Sequence, residues 1–262
     1  MDPATATTID GLNLFAMLGT VLWHLLRIGA ALQVLPMIGG RGMPMRARLI
    51  LAVALSATIS TVLPEPPRAA VDATTVLSVF REMTVGVAIG LVLRLAFEAG
   101  QFAGELISQG MALSFATLAD PLSGASSTVL SQWFFLIFGL LFFTLDGHLA
   151  LVTLLVDSYA ALPIGTPLAD MQGFLAALPT FFGTCLRAGL LLALPVMMAL
   201  LASNLAFGVL SRAASAMNPI VVGIPVALVT GLVLLALVAR ELQGPIQQLL
   251  EDAFLAARAL TA

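Results

Sequence analysis

Long stretches almost free of charge recur along this sequence, at residues 12–35, 174–210 and 220–238. About 20 apolar residues in helical form cross the ~30 Å hydrocarbon core of a bilayer. Lipid offers the backbone no hydrogen bonds, so a spanning segment must close its own, as a helix does. Shorter apolar runs, at 49–63, 129–145 and 149–162, fall below a comfortable span. The runs are rich in Leu, Ala, Val and Gly and lack the alternation of a transmembrane barrel strand. Hydrophobic residues make up 60% of the chain and charged ones 10%, against about 25% charged in soluble domains, and mean hydropathy is +1.07. The sequence therefore predicts an all-α integral membrane protein built of helical hairpins and kinked helices. Residues 1–262 read as a single domain, with a membrane-type core at about 12–238 and an amphipathic tail at 239–262.

One stretch, residues 82–121, organises the rest. It begins as a membrane-grade helix around Gly86 and Gly90, then acquires a polar stripe: Arg94, Glu98, Gln101, Glu105 and Ser108. Steps of three and four residues keep all five on one helical face. A charge near the bilayer centre costs roughly 2.5–3.5 kcal/mol, so this face should meet protein or a watery passage. The helix is expected to fail at Gly110. A soft segment follows, with Met111, Leu113 and Phe115 set among small residues, and Asp120-Pro121 closes it.

The remaining landmarks follow in chain order. His24 and Arg27 share a face of the first helix, which Pro36 ends. The loop 37–48 carries Arg41, Arg46 and Arg48 without an acid, which suggests the cytoplasmic side. Residues 49–63 then complete a helical hairpin. The organising helix should start near Val76. Its Gly86/Gly90 and Gly100/Gly104 pairs fit the small-xxx-small pattern of close helix contact. A break is expected at Asp146-Gly147-His148. Pro179 and Pro195 should kink or divide the run 174–210, 212–219 should be a loop, and Pro225 should break the last apolar run. In the tail, Leu242, Ile246, Leu249, Ala253 and Ala257 recur at helical spacing. That face suits a membrane surface or a partner.

Chemistry is sparsely represented. The single cysteine, Cys185, excludes an internal disulfide. Two histidines, His24 and His148, are too few for a metal site, and no phosphate loop or dinucleotide fingerprint occurs. Gly124-Ala125-Ser126-Ser127 is close to the serine motif of rhomboid proteases, but the only later histidine is His148, on a turn. All eleven cations are arginine and net charge is −3, which leaves no basic footprint for nucleic acid. The chain reads as neither an enzyme nor a cofactor or metal protein. Glu98 and Glu105 would suit a small-solute or ion transporter, though no matching halves are evident.

Several landmarks, in order and spacing, carry a resemblance. They are Arg27-Ile28 with Pro36 and Gly39; Pro44 and Arg48; Glu82 with Gly86 and Gly90; the run from Ala103 to Ile107; Gly110-Met111 with Phe115-Ala116; and Asp120-Pro121. Further along come Asp146-Gly147-His148; Ser158-Tyr159 with Pro163 and Gly165; Leu194-Pro195; Asn204 with Gly208; Met217-Asn218; and Val222-Gly223-Ile224-Pro225 with Gly231-Leu232. The set resembles the FliR/SctT family of type III secretion export-gate proteins. Gly147-His148 and the run from Ser158 to Gly165 look more like the flagellar than the injectisome branch. The late loop departs from the family: Ala214-Ser215-Ala216 precede Met217-Asn218, where proline is common, and Pro219-Ile220 follow, where an aromatic is common.

The resemblance implies a subunit of the flagellar export gate, in the bacterial inner membrane at the basal body, packed with FliP and FliQ in a helical hetero-oligomer. Other export apparatus proteins and membrane lipid would be its neighbours, and unfolded flagellar subunits its passing substrates. It also implies a plug loop, which by position falls on 110–120. Flexible apolar side chains can seal a pore and adapt to passing chains, so Met111 and Phe115 are the expected seal. Gly110, Leu113, Asp120 and Pro121 would complete the plug. Arg94, Glu98, Gln101, Glu105 and Asn218 are the expected subunit contacts.

Overall fold

The computed structural model describes residues 11–40, 42–63, 66, 73–113, 127–165, 171–213 and 219–261. Among them the regular structure is helical: α1 Gly11–Val34, α2 Met45–Ser60, α3 Ala73–Gly110, α4 Val129–Thr144, α5 Gly147–Ala161, α6 Met171–Ala213, α7 Pro219–Val238 and α8 Gln243–Thr261. Met17–Val34, Ala73–Gly110 and Ala176–Arg212 are long and apolar enough to cross a membrane. Two sharply bent helix pairs, α4 with α5 and α7 with α8, would raise the number of spans to five if each pair is one span. The chain is an all-α integral membrane protein, as its apolar runs imply.

The local reasons are those of helix chemistry. Pro36 cannot continue α1. Met37 turns out of it at φ 67°, and the Gly39 N–H donates back to the Leu35 carbonyl at 2.7 Å. Arg48 then ties α1 to α2, donating through Nη1 to Gln33 Oε1 and through Nη2 to the Gly40 carbonyl at 2.9 Å. Thr128 caps α4 by accepting from the Ser131 N–H at 3.3 Å. The break after α4 falls at Leu145-Asp146, with Asp146 at φ 55°, and α5 restarts at Gly147.

Two sequence expectations are corrected and one is narrowed. Of kinking or dividing, Pro179 and Pro195 do not divide their run; both lie inside α6. Pro225 lies inside α7 without ending it. An interior proline removes one backbone hydrogen bond, whereas ending a helix strands about four N–H or C=O groups at each terminus. In apolar surroundings the second cost is larger. The tail is corrected too. Leu242, Ile246, Leu249, Ala253 and Ala257 are all buried, so the apolar face of α8 is covered by the chain itself.

The chain forms two compact units, Met1–Arg94 with Ala150–Leu175 and Ala257–Ala262, and Leu95–Leu149 with Ala176–Ala256. In the first, Gly86 and Gly90 of α3 let α1 approach. A Cβ at Gly90 would lie 2.5 Å from the Ala31 carbonyl oxygen, and one at Gly86 would strike the carbonyl of Arg27. In the second, Phe97 of α3 meets Phe135, Phe138 and Phe142 of α4 at ring-centroid distances of 5.6, 5.8 and 6.0 Å. Gly100 lies against the Phe138 ring, and a Cβ at Gly104 would lie 2.6 Å from the Leu130 carbonyl oxygen. Both small-xxx-small pairs are thus used for close helix contact.

Candidate functional site

Most of the chain's notable polar chemistry lies along α3. Near its start, Glu82 is fully buried and accepts from two arginines. Arg27 Nε and Nη2 reach its Oε2 at 2.8 and 2.7 Å, and Arg81 Nη2 reaches its Oε1 at 2.8 Å. Arg27 Nη1 also donates to the Ser158 carbonyl at 2.8 Å and the Ser158 hydroxyl at 3.0 Å, and Nη2 to the Leu162 carbonyl at 2.8 Å. Arg27 thus makes four hydrogen bonds besides the close Nη2 contact with the carboxylate. Arg81 donates to the Pro163 carbonyl at 2.6 Å. The Tyr159 ring lies under the Arg27 guanidinium at 4.1 Å, and its hydroxyl donates to the His24 carbonyl at 3.1 Å.

Two arginines against one glutamate leave an excess positive charge in a buried place. The carbonyls of Ser158, Leu162 and Pro163 explain how it is tolerated. They lie in the last turn of α5 and in the two residues after it, where a helix end presents carbonyls and a partial negative charge. The arginines cap that end, and α1, α3 and α5 are locked together by one charged cluster.

The polar stripe runs further along α3. Arg94 and Glu98 are exposed, Gln101 and Glu105 half-buried, and Ser108 fully buried. The change follows the approach of α4 at Gly104. Ser131 Oγ lies 3.0 Å from the Gln101 carbonyl and 3.2 Å from Glu105 Oε2, and Ser108 donates to Thr128 at 2.9 Å. The stripe therefore splits into an exposed half, Arg94 and Glu98, and a more buried half in which Glu105 and Ser108 meet α4 or its cap.

At the end of α3 the geometry is specific. The Ala112 N–H donates to the Gln109 carbonyl at 3.1 Å and the Leu113 N–H to the Ser108 carbonyl at 3.0 Å. Ala112 takes φ 60°. This is a Schellman end, in which glycine ordinarily occupies the left-handed position. The helix ends at Gly110, as the sequence suggested, and the left-handed residue of the turn that follows is Ala112. Gly110 stays helical and packs near Leu200, while Asn204 Nδ2 donates to its carbonyl at 3.4 Å. Left-handed alanine carries roughly 1–2 kcal/mol of strain. Ala112→Gly is therefore expected to raise the thermal midpoint of the detergent-purified chain. A lower midpoint would mean that the alanine methyl contributes more by packing.

Met111 is fully buried. It lies against Gly231 of α7, where a Cβ would sit 2.5 Å from its Cγ and Sδ. Leu113 is half-buried. Phe115, Asp120, Pro121 and Asn218 lie outside the described residues.

Comparison with known proteins gives this arrangement its context. Residues 18–253 match the sequence profile of the bacterial export proteins, family 1. A flagellar biosynthetic protein FliR of Escherichia coli is 36% identical over 220 residues, 84% of each chain. The chain belongs to the FliR family of bacterial export proteins. A FliR of Pectobacterium carotovorum is 34% identical over 88% of each chain. One of Aquifex aeolicus is 32% identical over 83% of this chain and 84% of its own. Membership makes the chain a membrane component of the flagellar export apparatus. The landmarks Arg27, Glu82, Ser158, Tyr159 and Pro163, scattered in sequence, meet in the charged cluster. Sequence reasoning singled out each one and missed their meeting. The available signal was a surplus of charge, Arg27 and Glu82 each in an apolar helix with no opposite partner on its own face. Among the described residues no group of three His, Cys, Asp or Glu side chains could hold a metal.

Proposed function

We propose that the chain is a core subunit of the flagellar type III export gate, in the bacterial inner membrane at the basal body. FliP and FliQ complete the gate around a passage for unfolded flagellar subunits. The observation that carries the assembly is the exposure of Arg94 and Glu98 on a helix long and apolar enough to cross a membrane. Polar side chains facing lipid are unfavourable, and a partner subunit that covers this face removes that exposure. Arg94, Glu98, Gln101, Glu105 and Asn218 form the contact set, of which Arg94 and Glu98 are exposed.

Co-expression with FliP and FliQ, purification through a tag on this chain and native mass spectrometry test the reading. The expected result is one defined complex containing all three, which Glu98→Arg weakens. Recovery of a stable chain without partners would overturn it.

The plug is the segment that starts at Gly110 and ends at Asp120-Pro121, with Met111 and Phe115 as its seal. Supporting this, Met111 is a flexible side chain seated in a slot left by a glycine, directly before a strained turn. Replacing Met111 and Phe115 together with glycine should raise ion leakage through the assembled complex severalfold. Unchanged leakage in an intact complex would remove them as the seal.

A further inference from the structure

A second feature lies in the first unit, on residues other than those of the charged cluster. α1, α2 and α3 enclose a groove of about 250 Å³. Its walls are apolar: Leu25, Leu26 and Gly29 from α1, Leu49 and Ala52 from α2, and Met83 from α3. Gln33 and Arg48 also line it. Leu25 and Gln33 are eight residues apart on one helix, so the groove extends about 12 Å along α1. It is apolar at the Leu25 end and polar at the Gln33 end.

Arg48 makes that polar end unusual. It is 8% exposed. Its Nη atoms are used by Gln33 and by the carbonyls of Gly40 and Met43. Its Nε is buried with no hydrogen-bond partner. The guanidinium gives this end of the groove a positive charge that no carboxylate among the lining residues balances. Arg46 stands exposed on the same first turn of α2. At the rim, Leu49 and Met83 are 55% and 44% exposed, and α1 is one of the helices apolar enough to span a membrane.

We infer that this groove binds an anionic phospholipid, with an acyl chain along α1 toward Leu25 and the phosphate at Arg48 and Gln33. Apolar walls match the chain, and the guanidinium supplies the positive charge that a phosphate oxygen seeks. Basic pockets between membrane helices take anionic headgroups for the same reason. The inference does not rest on the export-gate reading, because its test needs this chain alone.

The purified full chain in detergent is titrated with phosphatidylglycerol, or with phosphatidylcholine of the same acyl chains, and read by native mass spectrometry. Phosphatidylglycerol is expected to bind about fivefold more tightly, the weight of roughly one basic residue at an anionic surface. Gly29→Leu should abolish binding of both lipids. A Cβ at Gly29 meets only Leu25 Cδ1 at 3.8 Å, so the larger side chain enters the groove without disturbing the helices. Gln33→Glu keeps an acceptor for Arg48 and adds a negative charge beside it. It should remove the preference for phosphatidylglycerol and leave acyl-chain binding in place. Equal affinity of the unaltered chain for the two lipids would overturn the inference. So would Gly29→Leu binding lipid as the unaltered chain does. Displacement of phosphatidylglycerol by inorganic phosphate at millimolar concentration would make this a simple anion site, and overturn it as well. If Gly29→Leu instead prevents assembly with FliP and FliQ while the unaltered chain carries no lipid, the groove belongs to a protein helix and the inference fails.

Discussion

Glu82→Ala is expected to destabilise the chain by roughly 3–5 kcal/mol, the usual cost of removing one partner of a buried ion pair. The reason is what remains. Arg27 and Arg81 would keep their charges with no carboxylate between them, at 0% and 9% exposure, and the neutral acceptors around them, among them the carbonyls of Ser158, Leu162 and Pro163, do not replace it. Arg27→Met should cost less, because Arg81 still pairs with Glu82 at 2.8 Å. Combining Arg27→Met with Glu82→Met should cost clearly less than the two single changes summed, since residues in one network do not add. Arg27→Lys should not rescue the site, because an ammonium has three donors where Arg27 makes four hydrogen bonds in a planar fork. Thermal unfolding of the detergent-purified chain, followed by size exclusion, reads these variants together with Glu82→Met alone. Additive losses would show that the cluster is a set of separate contacts and not a single lock.

Gly104→Val is the second change with a large expected effect. A Cβ there would lie 2.6 Å from the Leu130 carbonyl oxygen and 2.7 Å from the Ser131 nitrogen. Both are backbone atoms, which cannot swing aside as a side chain can. Overpacking ordinarily costs about 1–3 kcal/mol and more when backbone must move. Separating α4 from α3 would also strand Ser108 and Thr128, both buried. The loss should therefore exceed about 3 kcal/mol, seen as failure to accumulate a monodisperse chain. Gly183→Ala is the control with the opposite sign. Nothing lies within 4 Å of a Cβ at Gly183, and alanine in a helix interior gains about 0.5–1 kcal/mol over glycine. If both substitutions destabilise alike, close approach of α4 is not what Gly104 provides.

The helices were largely legible in the sequence because their boundaries are set by local chemistry. Pro36 stops α1, Gly110 is the last residue of α3, and Asp146-Gly147 marks the restart at α5. The internal prolines misled for the opposite reason. Pro179, Pro195 and Pro225 do not end their helices, because the surrounding apolar run outweighs the local rule for termination. Periodicity placed Arg94, Glu98, Gln101, Glu105 and Ser108 on one face correctly. It could not show where α4 would cover that face, since burial depends on a contact between Gly104 and Leu130. The charged cluster was harder still. Arg27 and Glu82 are 55 residues apart and Arg27 and Ser158 are 131 apart, and no local pattern joins them.

The short helices carry a consequence for the membrane itself. α2, α4 and α5 have 16, 16 and 15 residues, about 22–24 Å each at the usual helical rise. The hydrocarbon slab is ~30 Å thick. Where such rods meet lipid, the bilayer must thin around them or the flanking polar residues must reach outward, at a fraction of a kcal/mol per ångström of misfit. The chain is thus an elastic load on its surroundings. Lipids with longer tails raise that load, and any neighbour that replaces lipid along these helices releases it.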